Sequence, residues 1–149
     1  MAESTVTRLI KVPRSEVYNA LVDGQAFSKW LPPAGTTSKL YEFVPKIGGR
    51  LRMEITHGSE PEGTRLFELI FLEMRANEAV VFGGAFVSED PSMKSEMKIT
   101  IELKEAAGGT NVTIRHEGIP SKISVKDNEL GSTSSLDNLA RLLERPHGA

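Results

Sequence analysis

The sequence predicts an α+β domain in which one antiparallel sheet of seven strands packs against a long C-terminal helix. Seven segments between residues 5 and 117 have the composition or alternation of strands, and short turns separate most of them, which favours antiparallel neighbours. The last segment then carries apolar residues at 136, 139, 140 and 143, the spacing of one buried helical stripe. Because neither element can bury its apolar face alone, we expect the helix to lie across the sheet.

The first part of the chain predicts one strand followed by two short helices. Residues 5–12 alternate enough to form the strand, and the proline at the next position ends it. The same proline opens the first helix, since proline is tolerated in a first helical turn, and this helix runs through Leu21. A second helical or turn segment carries Trp30 and ends at Pro32-Pro33, because the residue before a proline is pushed out of the helical region.

Six further strands are predicted after these helices. They cover residues 38–44, 50–57, 64–75, 79–88, 95–105 and 110–117. The alternation is clearest in the last two strands, where Met97, Ile99 and Ile101 share one face and polar residues share the other. One face of the sheet is therefore expected to be dry and the other wet.

The start of the last helix allows two interpretations. Ser124 followed by Asp127 resembles a capping box, which predicts a helix that begins near residue 125 and contains Gly131. Glycine inside a helix costs about 1 kcal/mol relative to alanine, so its presence suggests close approach by another group. In the alternative, the helix begins at Ser132 or Ser134 and a loop precedes it.

The apolar stripe of this helix predicts a cavity. Projected back from Leu136 and Leu139, the stripe reaches Ser132 and Ser135, small hydroxyl residues where bulky hydrocarbon is expected. A helix that fills its groove at one end and underfills it at the other leaves a cavity between helix and sheet. We expect the functional site of the protein to lie in that cavity.

Composition excludes several classes of function. The 149 residues are expected to form a single domain, 1–149, and the net charge of -2 provides no basic excess for a nucleic-acid partner. The absence of cysteine excludes disulfides and thiolate chemistry. No run approaches the ~20 apolar residues of a membrane span, and the start lacks the apolar stretch of a secretory signal, so by elimination we expect a cytoplasmic protein.

Four short motifs follow one another along the chain. They are Trp30-Leu31-Pro32-Pro33, Gly48-Gly49-Arg50-Leu51-Arg52-Met53, Phe71-Leu72-Glu73 and the segment from Gly108 to Gly118. With the order of the predicted elements, these motifs resemble the START-like (SRPBCC) superfamily, and within it proteins similar to the C-terminal domain of the activator of the heat-shock-protein-90 ATPase. The resemblance implies the helix-grip fold, in which the sheet curls around the long helix. It also implies a cavity between them, which holds hydrophobic ligands in relatives.

Two positions depart from the pattern of that superfamily. Many relatives have a tryptophan after the glycine that corresponds to Gly131, and here Ser132 follows, which would enlarge the cavity. Many also have an acidic residue and an arginine before the paired glycines, where this chain has Val44 and Lys46. The role of that polar pair is therefore not carried over.

The predicted lining of the cavity combines aromatic, aliphatic, methionine and small polar side chains. It comprises Trp30, Phe43, Met53, His57, Phe67, Phe71, Phe82, Phe86, Met97, Ile99, Ile114, His116, Ser132, Ser135 and Leu136. Trp30 would form a lid or simply pack in the core. His116 would either polarise a ligand carbonyl or form a hydrogen bond near the rim. His57 and His116 have no clear carboxylate partner, so neither a metal nor another cofactor is predicted.

Charged residues near the middle of the sheet allow a functional and a structural interpretation. Glu68 lies among apolar residues and would act as a general acid if it were buried, or else face solvent or pair with Arg52. Arg50 and Arg52 would clamp a ligand carboxylate or coat the outer face of the sheet.

Three hypotheses of function remain open on the sequence. The first is non-catalytic binding of a small hydrophobic molecule in the cavity, by a monomer or a homodimer paired through sheet edges. The second follows from the resemblance and is a protein partner, with the domain stimulating the ATPase of a heat-shock chaperone. The third is an enzyme of the cyclase or dehydratase kind that uses the same cavity, with His116 or Glu68 as acid or base.

Overall fold

The computed structural model describes residues 2–57 and 64–144, and the structural statements below concern these ranges. Its elements in chain order are β1 (Glu3–Ile10), α1 (Arg14–Leu21), α2 (Gly24–Trp30), β2 (Thr36–Phe43), β3 (Arg50–His57), β4 (Thr64–Arg75), β5 (Ala79–Phe86), β6 (Met97–Ala106), β7 (Gly109–Glu117) and α3 (Val125–Leu143). A single 3₁₀ turn, Pro91–Met93, precedes β6. The predicted fold class, an α+β helix-grip fold, is confirmed.

The seven strands form one antiparallel sheet in the order β1-β7-β6-β5-β4-β3-β2. Successive strands from β2 to β7 are neighbours, as their short connections predict, and α1 and α2 carry the chain from one sheet edge to the other. β1 pairs with β7, so that Ser4 lies opposite His116 and Val6 lies opposite Ile114. The first strand of the chain therefore lies beside the last, and this pairing brings Ser4 close to His116.

Pairing with neighbouring strands shifts some of the predicted strand boundaries. β1 covers Glu3–Ile10 rather than residues 5–12, because its ladder with β7 runs from Glu3 to Ile10. Beyond that ladder, the carbonyl of Val12 accepts a hydrogen bond from the Thr110 hydroxyl at 2.8 Å. β6 begins at Met97 rather than at residue 95, where its ladder with β5 begins.

The paired glycines build the turn that leads into β3. Gly48 has φ +84°, a left-handed conformation that glycine adopts without steric cost. At Gly49 a side chain would collide with the chain itself, since a Cβ would lie 2.0 Å from the carbonyl oxygen of Val44. The carbonyl of Val44 also accepts from the amide of Lys46 at 2.8 Å. These are backbone contacts, which explains why the turn forms with Val44 and Lys46 in place of the polar pair of relatives.

Helix α3 begins at Val125, as the capping-box interpretation predicts. The hydroxyl of Ser124 accepts a hydrogen bond from the amide of Asp127 at 3.0 Å, which satisfies one of the free donors of the first turn. Gly131 therefore lies inside the helix. The expected close approach of another group is not found, because a Cβ at this position would lie 3.9 Å from its nearest neighbour, Cγ of Pro33. Neither α3 nor another helix within the described ranges is long and apolar enough to cross a bilayer.

The middle and second half of α3 are fastened to the rest of the molecule. Leu136, Leu139 and Ala140 are buried against the core, and Asp137 pairs with Arg8 of β1. The amide of Asn138 donates to the carbonyl of Pro32 at 2.9 Å. These contacts seat this part of the helix tightly, whereas the residues before it stand over a space that side chains do not fill.

Candidate functional site

A cavity of about 470 Å³ lies between the sheet and the first half of α3. This volume falls in the range of small-molecule sites, ~300–1,000 Å³. Strands β3 to β7 supply most of its apolar wall, completed by residues around α2 and before α3: Phe27, Leu31, Pro33, Ile55, Phe67, Leu69, Phe82, Phe86, Met97, Ile99, Ile101, Ile114 and Ile123. Its polar groups are His57, Arg65, His116, Asp127, Asn128, Ser132 and Ser135, and Gly131 completes the lining.

Ten of the fifteen residues expected from the sequence line this cavity. They are His57, Phe67, Phe82, Phe86, Met97, Ile99, Ile114, His116, Ser132 and Ser135. The strand residues meet there because alternate positions of neighbouring strands project to the same face of the sheet. Of the two serines, Ser132 is half-buried, whereas Ser135 is buried and donates to the carbonyl of Leu31 at 2.5 Å. Ser135 thus fastens α3 to the end of α2 as well as lining the cavity.

The other five expected residues pack in the core and not on the cavity wall, so their placement in the lining requires correction. They are Trp30, Phe43, Met53, Phe71 and Leu136. Their parity on strand or helix is that of the lining, but they lie at the filled end of the groove, where aromatic rings from sheet and α2 meet. Phe27 packs 5.2 Å from Trp30 and 5.3 Å from Phe43, measured between ring centroids. Trp30 is also anchored, because its indole N–H donates to the carbonyl of Ala20 at 2.9 Å.

Several residues of the wall were not expected from the sequence. Asn128 is one of them, although projecting the apolar stripe of α3 one further turn back from Ser132 would have reached it. Arg65 has the same strand parity as Phe67, and Ile55 has that of Met53, so alternation alone would have included both. Phe27 carries no comparable signal, because its position depends on how α2 packs.

A chain of hydrogen bonds holds the imidazole of His116 in the wall. The hydroxyl of Ser4 donates to Oδ1 of Asn128 at 2.5 Å, and the Asn128 amide donates to Nδ1 of His116 at 3.0 Å. Since Nδ1 accepts, the proton of the neutral ring lies on Nε2. Within the described ranges, the protein atom that Nε2 meets at hydrogen-bond distance is Sδ of Met97, at 3.1 Å. The wall of the cavity therefore contains an N–H donor, Nε2–H of His116, whose protein partner is a weak acceptor.

Burial also determines the charge of this ring. It lowers the pKa of His116 from 6.5 to about 4, because the charged imidazolium is poorly solvated in the apolar wall. The ring is therefore neutral near pH 7. In that state it can donate a hydrogen bond from Nε2, but it carries no extra proton to give as a general acid.

Exposed polar residues mark where the cavity meets solvent. His57 and Asp127 are exposed and Arg65 is half-buried.

Within residues 2–57 and 64–144, no group of three histidine, aspartate or glutamate side chains is placed to hold a metal ion.

Glu68 lies outside the cavity lining, which favours its interpretation as a residue of the outer face over that of a buried general acid. Its neighbours Phe67 and Leu69 face the cavity, so strand alternation directs Glu68 to the outer face. There it stands opposite Arg52 in the β3–β4 register. Arg50 also lies outside the cavity lining and pairs with Glu42 at 3.8 Å. The arginine that does line the cavity is Arg65.

The chain matches one family model along most of its length. Residues 11–144 match the model described as Activator of Hsp90 ATPase homolog 1-like protein. No curated protein matches the sequence significantly.

Solved structures similar to this chain come from several bacteria. Protein CV1439 from Chromobacterium violaceum is 31% identical, with a TM-score of 0.87 over 97% of this chain and 98% of that chain. Protein MLL2253 from Mesorhizobium loti is 20% identical, with a TM-score of 0.77 over 97% and 98%. A solution structure from Staphylococcus epidermidis is 23% identical, with a TM-score of 0.76 over 99% and 93%. The chain therefore belongs to the family of activator of Hsp90 ATPase homolog 1-like proteins, within the START-like (SRPBCC) superfamily.

Proposed function

We propose that this protein binds a small, mainly apolar molecule in the cavity between the sheet and α3, and that binding requires no catalysis. The observation that carries the proposal is a space of about 470 Å³ whose wall is mostly aliphatic and aromatic, with polar groups at a few points. Small-molecule sites have this composition, since apolar walls provide affinity and a few polar groups provide orientation.

The energy of an unfilled cavity supports the same conclusion. Apolar wall atoms that face an unfilled space lack packing partners on that side, which makes the space unfavourable unless a molecule occupies it. Water enters such a space through the exposed side near His57 and Asp127, but it finds few partners on the apolar wall. An apolar ligand that displaces poorly held water gains affinity.

Ser132 offers a direct test of the proposal. Its side chain is half-buried and lines the cavity, whereas the neighbouring Thr133 is exposed and lies outside the lining. Ser132→Phe should fill the space beneath α3, and Thr133→Phe adds the same ring to the solvent side. The measurement is a fluorescence titration with 1-aminoanthracene, an uncharged apolar probe.

We expect wild type and Thr133→Phe to bind the probe with similar affinity, and Ser132→Phe to bind it at least tenfold more weakly, a loss of about 1.4 kcal/mol. Circular dichroism of the three proteins controls for folding. The proposal fails if wild type takes up no probe, or if a folded Ser132→Phe variant binds as tightly as Thr133→Phe.

A second candidate function is stimulation of the ATPase of a heat-shock chaperone, which the description of the matching family names. The observation that favours it is on the outer face of the sheet, where Ile70 and Leu72 of β4 are 45% and 51% exposed. Adjacent exposed apolar side chains are typical of protein-interaction surfaces. We expect the wild-type domain to raise the ATPase rate of the chaperone and Ile70→Ser/Leu72→Ser to raise it less. An unchanged rate at saturating wild-type protein would exclude this function.

A further inference from the structure

The polar part of the wall selects among apolar ligands, provided that the cavity binds small molecules as proposed above. We infer that the ligand carries an uncharged carbonyl oxygen, which accepts a hydrogen bond from Nε2 of His116. The chemical class is a ketone, ester or amide on a mainly hydrocarbon body.

The direction of the hydrogen bonds behind His116 supports this inference. Ser4 and His116 lie opposite each other on β1 and β7, and Asn128 of α3 contacts both side chains. In this arrangement Oδ1 of Asn128 accepts from the hydroxyl of Ser4, and the side-chain NH₂ of Asn128 donates to Nδ1 of His116. Two elements of the sheet and one helix thus fix the ring with its Nε2–H on the cavity side.

The partner of that N–H is a poor one. Sδ of Met97 lies 3.1 Å from Nε2, and a thioether sulfur is only a weak acceptor. A carbonyl oxygen accepts more strongly, and the unbranched methionine side chain can move aside to admit it. A ligand with such an oxygen would improve a hydrogen bond that the protein alone makes weakly.

The charges around His116 favour an uncharged oxygen over a carboxylate. Ile99 stands opposite His116 on β6, the ring itself is neutral near pH 7, and no cation of the described lining lies on these strands. Arg65 lies on β4, and β5 and β6 stand between that strand and β7, so the strand neighbours of His116 carry no cation of the lining. A carboxylate at His116 would therefore be buried without a positive partner, at a large cost.

Three probes of one carbon skeleton test the inference: 1-tetralone, tetralin and 1,2,3,4-tetrahydro-1-naphthoate. Displacement of 1-aminoanthracene gives the affinity of each. We expect wild type to bind the ketone about fivefold more tightly than the hydrocarbon, the size of one net hydrogen bond, and to bind the carboxylate more weakly than the ketone. His116→Phe keeps a flat ring without the N–H, so the ratio of ketone affinity to tetralin affinity should fall to about one.

The outcomes separate this inference from the proposed function. If tetralin and 1-tetralone bind wild type equally well, or if the carboxylate binds best, the inference is wrong while ligand binding stands. If none of the three probes and no 1-aminoanthracene binds, the proposed function itself fails.

A spectroscopic measurement tests the role of Asn128, which we place as a positioning residue. Imidazole ¹⁵N spectra of wild type should show the proton of His116 on Nε2, and addition of 1-tetralone, but not of tetralin, should shift the Nε2 resonance. Asn128→Leu should mix the two tautomers and reduce the ratio of ketone affinity to tetralin affinity. A proton on Nδ1 in wild type, or an Nε2 resonance that 1-tetralone leaves unchanged, would overturn the inference even if His116→Phe failed to fold.

Discussion

The half-buried imidazole of His116 makes the stability of the protein depend on pH in a specific window. The pKa of His116 is about 4 in the folded chain, against 6.5 as its ordinary value, because burial disfavours the charged ring. Between these two pH values the unfolded chain binds a proton that the folded chain does not. The contribution is therefore fully present above pH 6.5 and is lost as the pH falls toward 4. At 1.36 kcal/mol per pH unit, the loss amounts to about 3 kcal/mol.

His116→Gln tests this prediction, because glutamine has a similar reach and does not titrate. The assay is urea unfolding between pH 7 and pH 4, followed by the fluorescence of Trp30, the only tryptophan, which is fully buried. Wild type should lose about 3 kcal/mol more of its free energy of unfolding across this range than the variant does. Asp90, whose hydrogen bonds with Ser92 and Lys122 lower its pKa from 3.8 to about 2, is present in both proteins, so it does not affect the difference between them.

His57→Gln is the matched control, because it removes an exposed histidine from the same cavity. It should unfold with the pH dependence of wild type. The reasoning would be refuted if His116→Gln and wild type lost equal stability between pH 7 and pH 4, or if the loss of His57 abolished the difference instead.

Three further substitutions test the packing around the site. Gly131→Ala should raise the free energy of unfolding by up to about 1 kcal/mol in urea, since the nearest atom to its Cβ is 3.9 Å away; a destabilised variant would mean that the helix is tighter there. Trp30→Phe should lower the free energy of unfolding by ~1–3 kcal/mol, the cost of leaving the carbonyl of Ala20 without its indole donor. The variant should still bind 1-aminoanthracene, and a loss of binding would show that Trp30 lines the cavity after all. Arg8→Ala should cost under ~1 kcal/mol in thermal unfolding, because the side chains of its ion pair with Asp137 are 40% and 42% exposed. A larger loss would show that solvent screens this pair less than its exposure predicts.

Local patterns predict most of the fold. The bounds of β3 and β4 follow from their strand-forming composition and from the turn residues beside them, both of which are local signals. The start of β1 cannot be predicted from local signals, because the ladder with β7 determines it and β7 lies more than 90 residues further along the chain. The capping box at Ser124 predicts the start of α3 correctly, because the cap joins residues only three positions apart.

The candidate site is less accessible to sequence reasoning. Strand parity separates the two faces of the sheet, but it does not say how far along a strand the filled core ends and the cavity begins. Phe27 of α2 largely makes that boundary, since it covers Trp30 and Phe43 and itself lines the cavity. Parity was also ambiguous at Glu68, because the exposed apolar side chains of β4 hide the alternation.

The hydrogen-bonded chain behind His116 has no signature in the sequence. Ser4 and Asn128 are 124 positions apart, and nothing in their neighbours indicates a contact. Only the pairing of β1 with β7 and the path of α3 bring them together. The chemical preference that we infer for the cavity thus depends on contacts that only the assembled fold creates.

A crystal structure of the protein grown with 1-tetralone tests the central claim most directly. We predict electron density for the ketone between Ser132 of α3 and the sheet, with its oxygen within hydrogen-bond distance of Nε2 of His116. A space closed by the side chains of the protein itself, with no ligand beneath α3, would contradict the account.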